Sequence, residues 1–259
     1  MNRNPNGKSR LEGLLSGCYL ACKHVTRLFA AFLPIILLAR GAGPDPDRED
    51  IVLTGGPALR FTEYSKSATL PEVHDAYWFN FVDASSVRLR ELKERAGPAE
   101  LVTWLVYRPA YMSRGNELDI DLLAKIEKKA QTLSANLQWF DTQQELINYL
   151  NAGLDRSRIK ISDFDYFGHS NKSCFFFDYN NAVRGMSIAW LDVRDLRKIT
   201  ENIFAPEATC KSWGCFSGQL YSKWWTDRFA VPLTGANGKT DYEHGGLPRL
   251  SNWGDKWVH

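Results

Sequence analysis

The chain predicts an α/β fold, a three-layer α/β/α sandwich built on a mainly parallel sheet. Short apolar, β-branched stretches alternate along the chain with stretches whose apolar residues recur at the helical period. Such alternation places the strands side by side in one direction, with helices on both faces of the sheet. With 259 residues, 44% of them hydrophobic, the chain can form one sizeable domain of this class with a small appendage.

The charge and cysteine content narrow the function classes. The formal net charge is +2, so nothing predicts nucleic-acid binding. Five cysteines without a CxxC pair favour neither a disulfide scaffold nor a zinc site, and we expect no metal and no cofactor. Gly235–Thr240 (GANGKT) departs from a phosphate loop, because Leu233 stands where the pattern needs glycine, and it is interpreted as a wall of a substrate cleft.

Residues 1–43 resemble a secretory leader. Basic residues precede the apolar run Leu28–Ala39, and the small residues Gly41–Gly43 follow it. The run is about half of the ~20 residues that a membrane span requires, so the mature chain is expected to have no span. Export, to the periplasm or outside the cell, and a cytoplasmic location are both open. If the protein is exported, Cys174 and Cys210 are a possible disulfide; otherwise they are core residues.

Residues 44–98 are predicted as a linker and a small cover segment. Gly43–Asp50 (GPDPDRED) is polar and rich in proline. A helix is predicted from Ser85 to a stop at Gly97. Short extended pieces are predicted at Ile51–Thr54, Leu59–Tyr64 and Tyr77–Val82.

Residues 99–259 form the predicted α/β domain. Its strands are Glu100–Tyr107, Leu137–Phe140, Ile159–Phe167, Ser173–Tyr179, Glu207–Gly214 and Val231–Thr234. Its helices are Asn116–Ser134, a helix capped by Asp141 and ended by Gly153, Ala189–Phe204 and Gly218–Phe229.

Two residues at the ends of predicted strands form a candidate catalytic pair. His169 follows one strand and Cys215 another, with a helix predicted between the two strands, and ligands bind outside the carboxyl ends of such strands. Cysteine attacks as a thiolate, which the start of the following helix and an adjacent imidazole would both favour. Gly214 leaves room for a substrate carbonyl, and the backbone amides at Cys215 and Ser170 are candidate oxyanion donors.

At these residues the chain resembles the caspase-like cysteine peptidases, the group that includes caspases, gingipains and clostripain. The resemblance lies in DYFGHS, which contains His169, in SWGCFSG, which contains Cys215, and in VPLTGANGKTDY, and it covers about Glu100–Tyr242. Caspases place glycine directly after the histidine, where this chain has Ser170. The resemblance implies a caspase-like fold and a cysteine endopeptidase acting on peptides or proteins. His169 would be the general base and acid, and Cys215 the nucleophile that forms a thioester acyl-enzyme.

Two other functions compete for the same residues. Gly168-His169-Ser170 is similar to the nucleophile elbow of serine hydrolases, with Ser170 attacking and Asp195 and His244 completing the chain order of a serine esterase. The alternative is a caspase-like binding or effector domain without turnover. Asp163, Asp165 and Asp178 lie near the strand of His169 and are candidate substrate-binding residues that would select a basic side chain, although acids at strand ends are typically solvated. Trp213 is a further candidate substrate-binding residue, although large aromatic residues beside such a sheet are also typical of a buried core.

Overall fold

The computed structural model describes residues 46–57, 79–179, 187–242 and 246–259. Its strands are β1 (Arg48–Thr54), β2 (Glu100–Tyr107), β3 (Asn136–Phe140), β4 (Lys160–Phe167), β5 (His169–Asn171), β6 (Cys174–Tyr179), β7 (Ser187–Asp192), β8 (Phe204–Ser212), β9 (Leu233–Ala236), β10 (Thr240–Asp241), β11 (Arg249–Leu250) and β12 (Trp257–Val258). Its helices are α1 (Asn80–Arg95), α2 (Arg108–Leu118), α3 (Leu122–Leu133), α4 (Gln143–Ala152) and α5 (Leu220–Phe229).

A seven-stranded sheet organises the fold, in the order β12-β9-β8-β4-β1-β2-β3. Six strands run parallel to their neighbours, and the short β12 pairs antiparallel with β9. The predicted α/β class with a mainly parallel sheet is therefore confirmed. The strand order runs outward from β1 to β3 on one side and from β4 to β9 on the other. Sheets that reverse in this way bind ligands at the carboxyl ends of their strands.

Helices cover both faces of this sheet. Side chains alternate along β1, so that Ile51 and Leu53 pack in one buried cluster and Val52 packs in the other. The first cluster includes apolar residues of α4 and α5, and the second includes those of α1 and α3. The central strands β1, β2 and β4 are buried on both sides over most of their length, as the continuous apolar runs of the sequence require.

The predicted boundary at residue 98 does not separate a cover from a core. β1 lies inside the sheet between β4 and β2, and α1 packs over the second cluster. Glu49 and Asp50 begin this strand, and their charges conceal its buried character in the sequence. The predicted extended piece Tyr77–Val82 is wrong over its described part, since α1 begins at Asn80. The predicted leader and the piece Leu59–Tyr64 lie outside the described residues.

A second, antiparallel sheet of three strands, β5-β6-β7, follows β4. The predicted strand Ser173–Tyr179 belongs to this sheet as β6. The predicted helix Ala189–Phe204 is wrong, because the chain forms β7 and then two 3₁₀ turns, Asp195–Lys198 and Glu201–Ile203. Leu191, Leu196 and Ile199, which suggested the helix, are all buried in the first cluster from these different elements.

Two other helices differ from their predicted bounds. The predicted helix Asn116–Ser134 is interrupted at Asp119, which has a φ of 56°, and α3 begins after the N-cap Asp121. The cap of α4 is Thr142 instead of Asp141. The Thr142 hydroxyl accepts the N–H of Glu145, whose carboxylate accepts the N–H of Asp141 in return.

Candidate active site

The strands that precede His169 and Cys215 are neighbours. β4 and β8 pair in parallel, with Tyr166 opposite Ser212, and the Trp213 N–H donates to the Tyr166 carbonyl at 2.8 Å. Both segments therefore leave the sheet at the carboxyl ends of their strands, on the same side, as expected from the sequence. The predicted crossover helix between them is wrong, because the described residues of this connection form β5, β6, β7 and two 3₁₀ turns.

The two segments touch directly beyond the ends of the strands. The Ser170 hydroxyl donates to the carbonyl oxygen of Cys215 at 2.7 Å. A β-carbon at Gly214 would collide with the Ser170 hydroxyl and would lie 2.8 Å from the Gly168 carbonyl oxygen. Glycine is required at position 214 because the two segments approach this closely.

Cys215 lies in a tight turn instead of at a helix start. α5 begins at Leu220, five residues later, so the prediction that the N-terminus of this helix acts on the Cys215 thiol is wrong. The sulfur instead accepts the backbone N–H of Thr240 at 3.3 Å, and the Thr240 hydroxyl lies 3.6 Å away. Phe216, the next residue, has a φ of 57°, a left-handed conformation that is costly for a non-glycine residue.

Exposure distinguishes Cys215 from the other cysteines in the described ranges. Cys215 is partly exposed, whereas Cys174 and Cys210 are buried. Burial raises the pKa of Cys174 to about 12 and that of Cys210 well above its ordinary value. Since the thiolate is the reactive form, Cys215 is the best placed of these three to act as a nucleophile.

His169 begins β5, where it lies opposite Phe176 on β6. The Tyr166 hydroxyl donates to the His169 carbonyl oxygen at 2.7 Å and fixes the backbone of this residue. The half-buried imidazole contacts the ring of Phe81 edge-to-face, with 5.0 Å between ring centroids. Phe81 belongs to α1, so this helix supplies a wall beside the candidate base.

The serine-hydrolase alternative finds little support in this geometry. Ser170 lies within β5 and a β-hairpin follows it, whereas a nucleophile elbow needs a strand-to-helix turn. Its hydroxyl donates to a carbonyl oxygen. Asp195 accepts hydrogen bonds from Gln143 and pairs with Lys198, and His244 lies outside the described residues.

The candidate oxyanion donors differ in their placement. The Gly214 N–H donates to the Ser212 hydroxyl at 3.3 Å, which directs this amide into the protein. Ser170 is 7% exposed, and the backbone of β5 pairs with β6 around it. The roles of Cys215 and Ser170 as donors stay predictions.

Two of the predicted substrate-binding acids lie beneath α1. Asp163 and Asp165 are 5% and 2% exposed. Arg88 donates to Asp165 at 2.7 Å and to Asp163 at 3.0 Å, and Arg95 also pairs with Asp163. Burial raises the pKa of both carboxyls, and Arg88 opposes this rise. A basic substrate side chain would have to displace these arginines, so a role in selectivity stays a prediction that this placement does not favour.

Trp213 and Asp178 are the other two candidate substrate-binding residues. Trp213 is 7% exposed and stacks on Phe167, with 5.6 Å between ring centroids. Its indole N–H donates to Asp165 at 2.7 Å, so this residue belongs to the buried core. Burial raises the pKa of the Tyr107 phenol, and the charge of Asp178 on β6 adds to this rise.

Three cavities in the described part of the chain lie away from the pair. One, of about 750 Å³, lies between α1 and α3 and is lined by basic residues that include Arg90, Lys125 and Lys128. Two others, of about 510 and 440 Å³, lie beside β7 and between α2 and α3. None of these three is lined by His169 or Cys215.

Comparisons with family models, curated proteins and solved structures found no match. Within the described ranges, no helix combines the length and apolar character needed to cross a bilayer. The same part of the chain contains no group of three or more histidine, cysteine or acidic side chains placed to hold a metal ion.

Proposed function

We propose that this chain is a caspase-like cysteine endopeptidase, with Cys215 as nucleophile and His169 as general base and acid. The observation that carries the proposal is the meeting of two strand ends. β4 and β8 are adjacent and parallel, and Ser170, directly after His169, bonds to the backbone of Cys215 at 2.7 Å. A caspase-like, three-layer arrangement of the domain is part of the same proposal.

In the proposed reaction, the His169 imidazole accepts the Cys215 thiol proton and the sulfur attacks the carbonyl carbon of a peptide. Collapse of the tetrahedral intermediate re-forms the carbonyl and breaks the C–N bond, while His169 returns the proton to the leaving amine. A water molecule, deprotonated by His169, then attacks the thioester, and the acid product and the free thiol are released. These steps need no cofactor.

Three features of Cys215 support this role. The residue is partly exposed, its sulfur accepts the N–H of Thr240 at 3.3 Å, and it lies in a turn beyond the carboxyl ends of the strands. The backbone amides of Cys215 and Ser170 are the proposed oxyanion donors. One such donor is typically worth about 3 kcal/mol in the transition state.

Thiol-reactive peptide probes test the proposal. A panel of peptides with different side chains before a chloromethyl ketone is incubated with the full chain, and the labelled residue is identified by mass spectrometry. We expect labelling at Cys215, its loss in Cys215→Ala, and a decrease of about 100-fold or more in peptide hydrolysis in His169→Ala. The matched control is Cys210→Ala, which removes a buried thiol from β8 and leaves labelling intact.

Two outcomes would overturn the proposal. Peptide hydrolysis that persists in Cys215→Ala excludes this thiol as the nucleophile. If the hydrolysis is then lost in Ser170→Ala alone, the serine esterase is favoured. A wild-type chain that neither reacts with any probe of the panel nor cleaves peptides would favour the binding or effector domain.

A further inference from the structure

The Tyr242 hydroxyl lies between the segment of His169 and the segment of Cys215. It accepts the N–H of Gly168 at 3.1 Å and donates to the carbonyl oxygen of Trp213 at 3.2 Å. Gly168 directly precedes His169, and Trp213 lies two residues before Cys215. One phenol group therefore joins the ends of β4 and β8 through hydrogen bonds to both backbones.

The rings of Tyr242 and His169 both pack against Phe81. The Tyr242 ring packs edge-to-face on Phe81 at 4.6 Å between centroids, and Phe81 packs edge-to-face on His169 at 5.0 Å. Tyr242 is 7% exposed, and burial raises the pKa of its hydroxyl well above the ordinary value. The phenol thus keeps its proton, and its bond to Trp213, at any pH at which a thiol ionises.

A neighbouring contact adds to this arrangement. The Thr240 hydroxyl donates to the same Trp213 carbonyl oxygen at 2.9 Å, while the Thr240 N–H reaches the Cys215 sulfur at 3.3 Å. Residues 240–242 therefore touch the thiol and the backbone on both sides of the pair. These contacts join positions that are 25 to 74 residues apart in the chain.

We propose that Tyr242 is a positioning residue that sets the placement of His169 relative to Cys215. The inference rests on the proposed pairing of these two side chains and assigns Tyr242 no contact with substrate. Loss of the hydroxyl would leave the Gly168 N–H and the Trp213 carbonyl without their common partner. The two strand ends would then be joined by fewer hydrogen bonds, those of Ser170 with Cys215 and of Trp213 with Tyr166, and their relative position would be less closely fixed. A displacement of about 1 Å at a catalytic pair can cost about 100-fold in rate.

The test is Tyr242→Phe, which keeps the ring on Phe81 and removes only the hydroxyl. The rate of Cys215 alkylation by iodoacetamide is measured by peptide mapping between pH 5 and 10, a readout that needs no peptide substrate. In the wild-type chain we expect a reactive component at low pH that His169→Ala removes. In Tyr242→Phe we expect this component to fall about tenfold.

A double-mutant cycle separates positioning from general destabilisation. Tyr242→Phe should have little effect on alkylation in the His169→Ala background, because the placement it controls no longer matters there. The control is Tyr221→Phe, at another fully buried tyrosine, whose hydroxyl has no hydrogen-bond partner in the described part of the chain. It should leave the profile unchanged.

An equal effect of Tyr242→Phe with and without His169 would overturn the inference, and so would a wild-type profile that His169→Ala leaves unchanged. A His169-dependent profile in a chain that cleaves no peptide would count against the proposed function while leaving the positioning role intact.

Discussion

The hydroxyl of Ser170 donates to the carbonyl oxygen of Cys215 at 2.7 Å, across 45 positions of sequence. This bond connects the residue after the candidate base to the backbone of the candidate nucleophile. It forms because β4 and β8 are adjacent and parallel, so that the segments after them leave the sheet at the same carboxyl ends. It also gives Ser170 a structural role that does not require its hydroxyl to be a nucleophile.

We expect Ser170→Ala to lower stability without abolishing labelling of Cys215. Removal of one partner of a hydrogen bond that is largely buried costs about 1–3 kcal/mol, because the remaining carbonyl loses its donor. Urea denaturation measures this cost, and a chloromethyl ketone peptide measures labelling. The control is Ser173→Ala in the same hairpin, whose hydroxyl lies 3.3 Å from Asn171. Complete loss of hydrolysis with Cys215 still reactive would contradict the structural role.

Gly214→Ala is expected to separate the two segments. The added β-carbon would collide with the Ser170 hydroxyl and lie 2.8 Å from the Gly168 carbonyl oxygen, so backbone must move. Overpacking of this kind typically costs about 1–3 kcal/mol, and labelling of Cys215 should fall with it. Thermal denaturation and probe labelling are the measurements. Gly97→Ala is the matched control, since no atom lies within 4 Å of a β-carbon there, and equal behaviour of the two variants would refute the close approach.

The sequence predicts the parts of this site that depend on local patterns. The apolar run before His169 and the run before Cys215 each identify a parallel strand, and a chain reversal at a sheet edge needs small residues such as Gly214. The roles of Thr240 and Tyr242 cannot be predicted from the sequence, because their contacts with Cys215 and Gly168 form only when the sheet brings distant segments together.

The errors in the fold have equally specific causes. β1 begins with charged residues, Glu49 and Asp50, so its place inside the sheet has no clear apolar signature. The stretch Ser187–Asp192 is too short to distinguish a period of 2 from a period of 3.6, and the apolar residues after it imitate a helix. The fold class survives these errors because it depends on the alternation of elements and not on any single one.

Asp165→Asn distinguishes a structural from a substrate-binding carboxylate. Asp165 accepts bonds from Arg88 and Trp213, both at 2.7 Å, inside the protein. Neutralising it removes the charge that a partly buried arginine faces inside the protein, at a cost of roughly 3 kcal/mol in denaturation experiments. We expect the ratio of Cys215 labelling by lysine-containing and leucine-containing probes to stay constant. Asp227→Asn, at a solvent-exposed pair with Lys223, should change stability by no more than about 1 kcal/mol.

A reduced preference for the lysine probe in Asp165→Asn, without loss of stability, would instead restore the acidic pocket that the sequence suggested. The same comparison in Asp163→Asn provides a second measurement, because Asp163 shares Arg88 with Asp165.

Asp50 gives the stability of the protein a defined pH dependence. This residue is fully buried on β1, where burial raises its pKa to about 7, with Asp163 and Glu100 adding to the rise and Arg95, at 3.7 Å, opposing it. An unfolded aspartate has a pKa of about 3.9, so between about pH 4 and pH 7 the folded state holds a proton that the unfolded state has released. The contribution of Asp50 to the free energy of unfolding is therefore fully present below about pH 4 and is lost as the pH rises through 7.

Asp50→Asn removes this titration, because the amide does not ionise. Relative to the wild type, the variant should gain about 4 kcal/mol of stability between pH 4 and pH 8, because the pKa of Asp50 differs by about three between the folded and the unfolded state. Urea denaturation at both pH values measures the difference, with Asp227→Asn as the exposed control that should show no such gain. A difference between variant and wild type that stays the same at pH 4 and pH 8 would mean that Asp50 is ionised in the folded state throughout, held by Arg95 more strongly than burial opposes it.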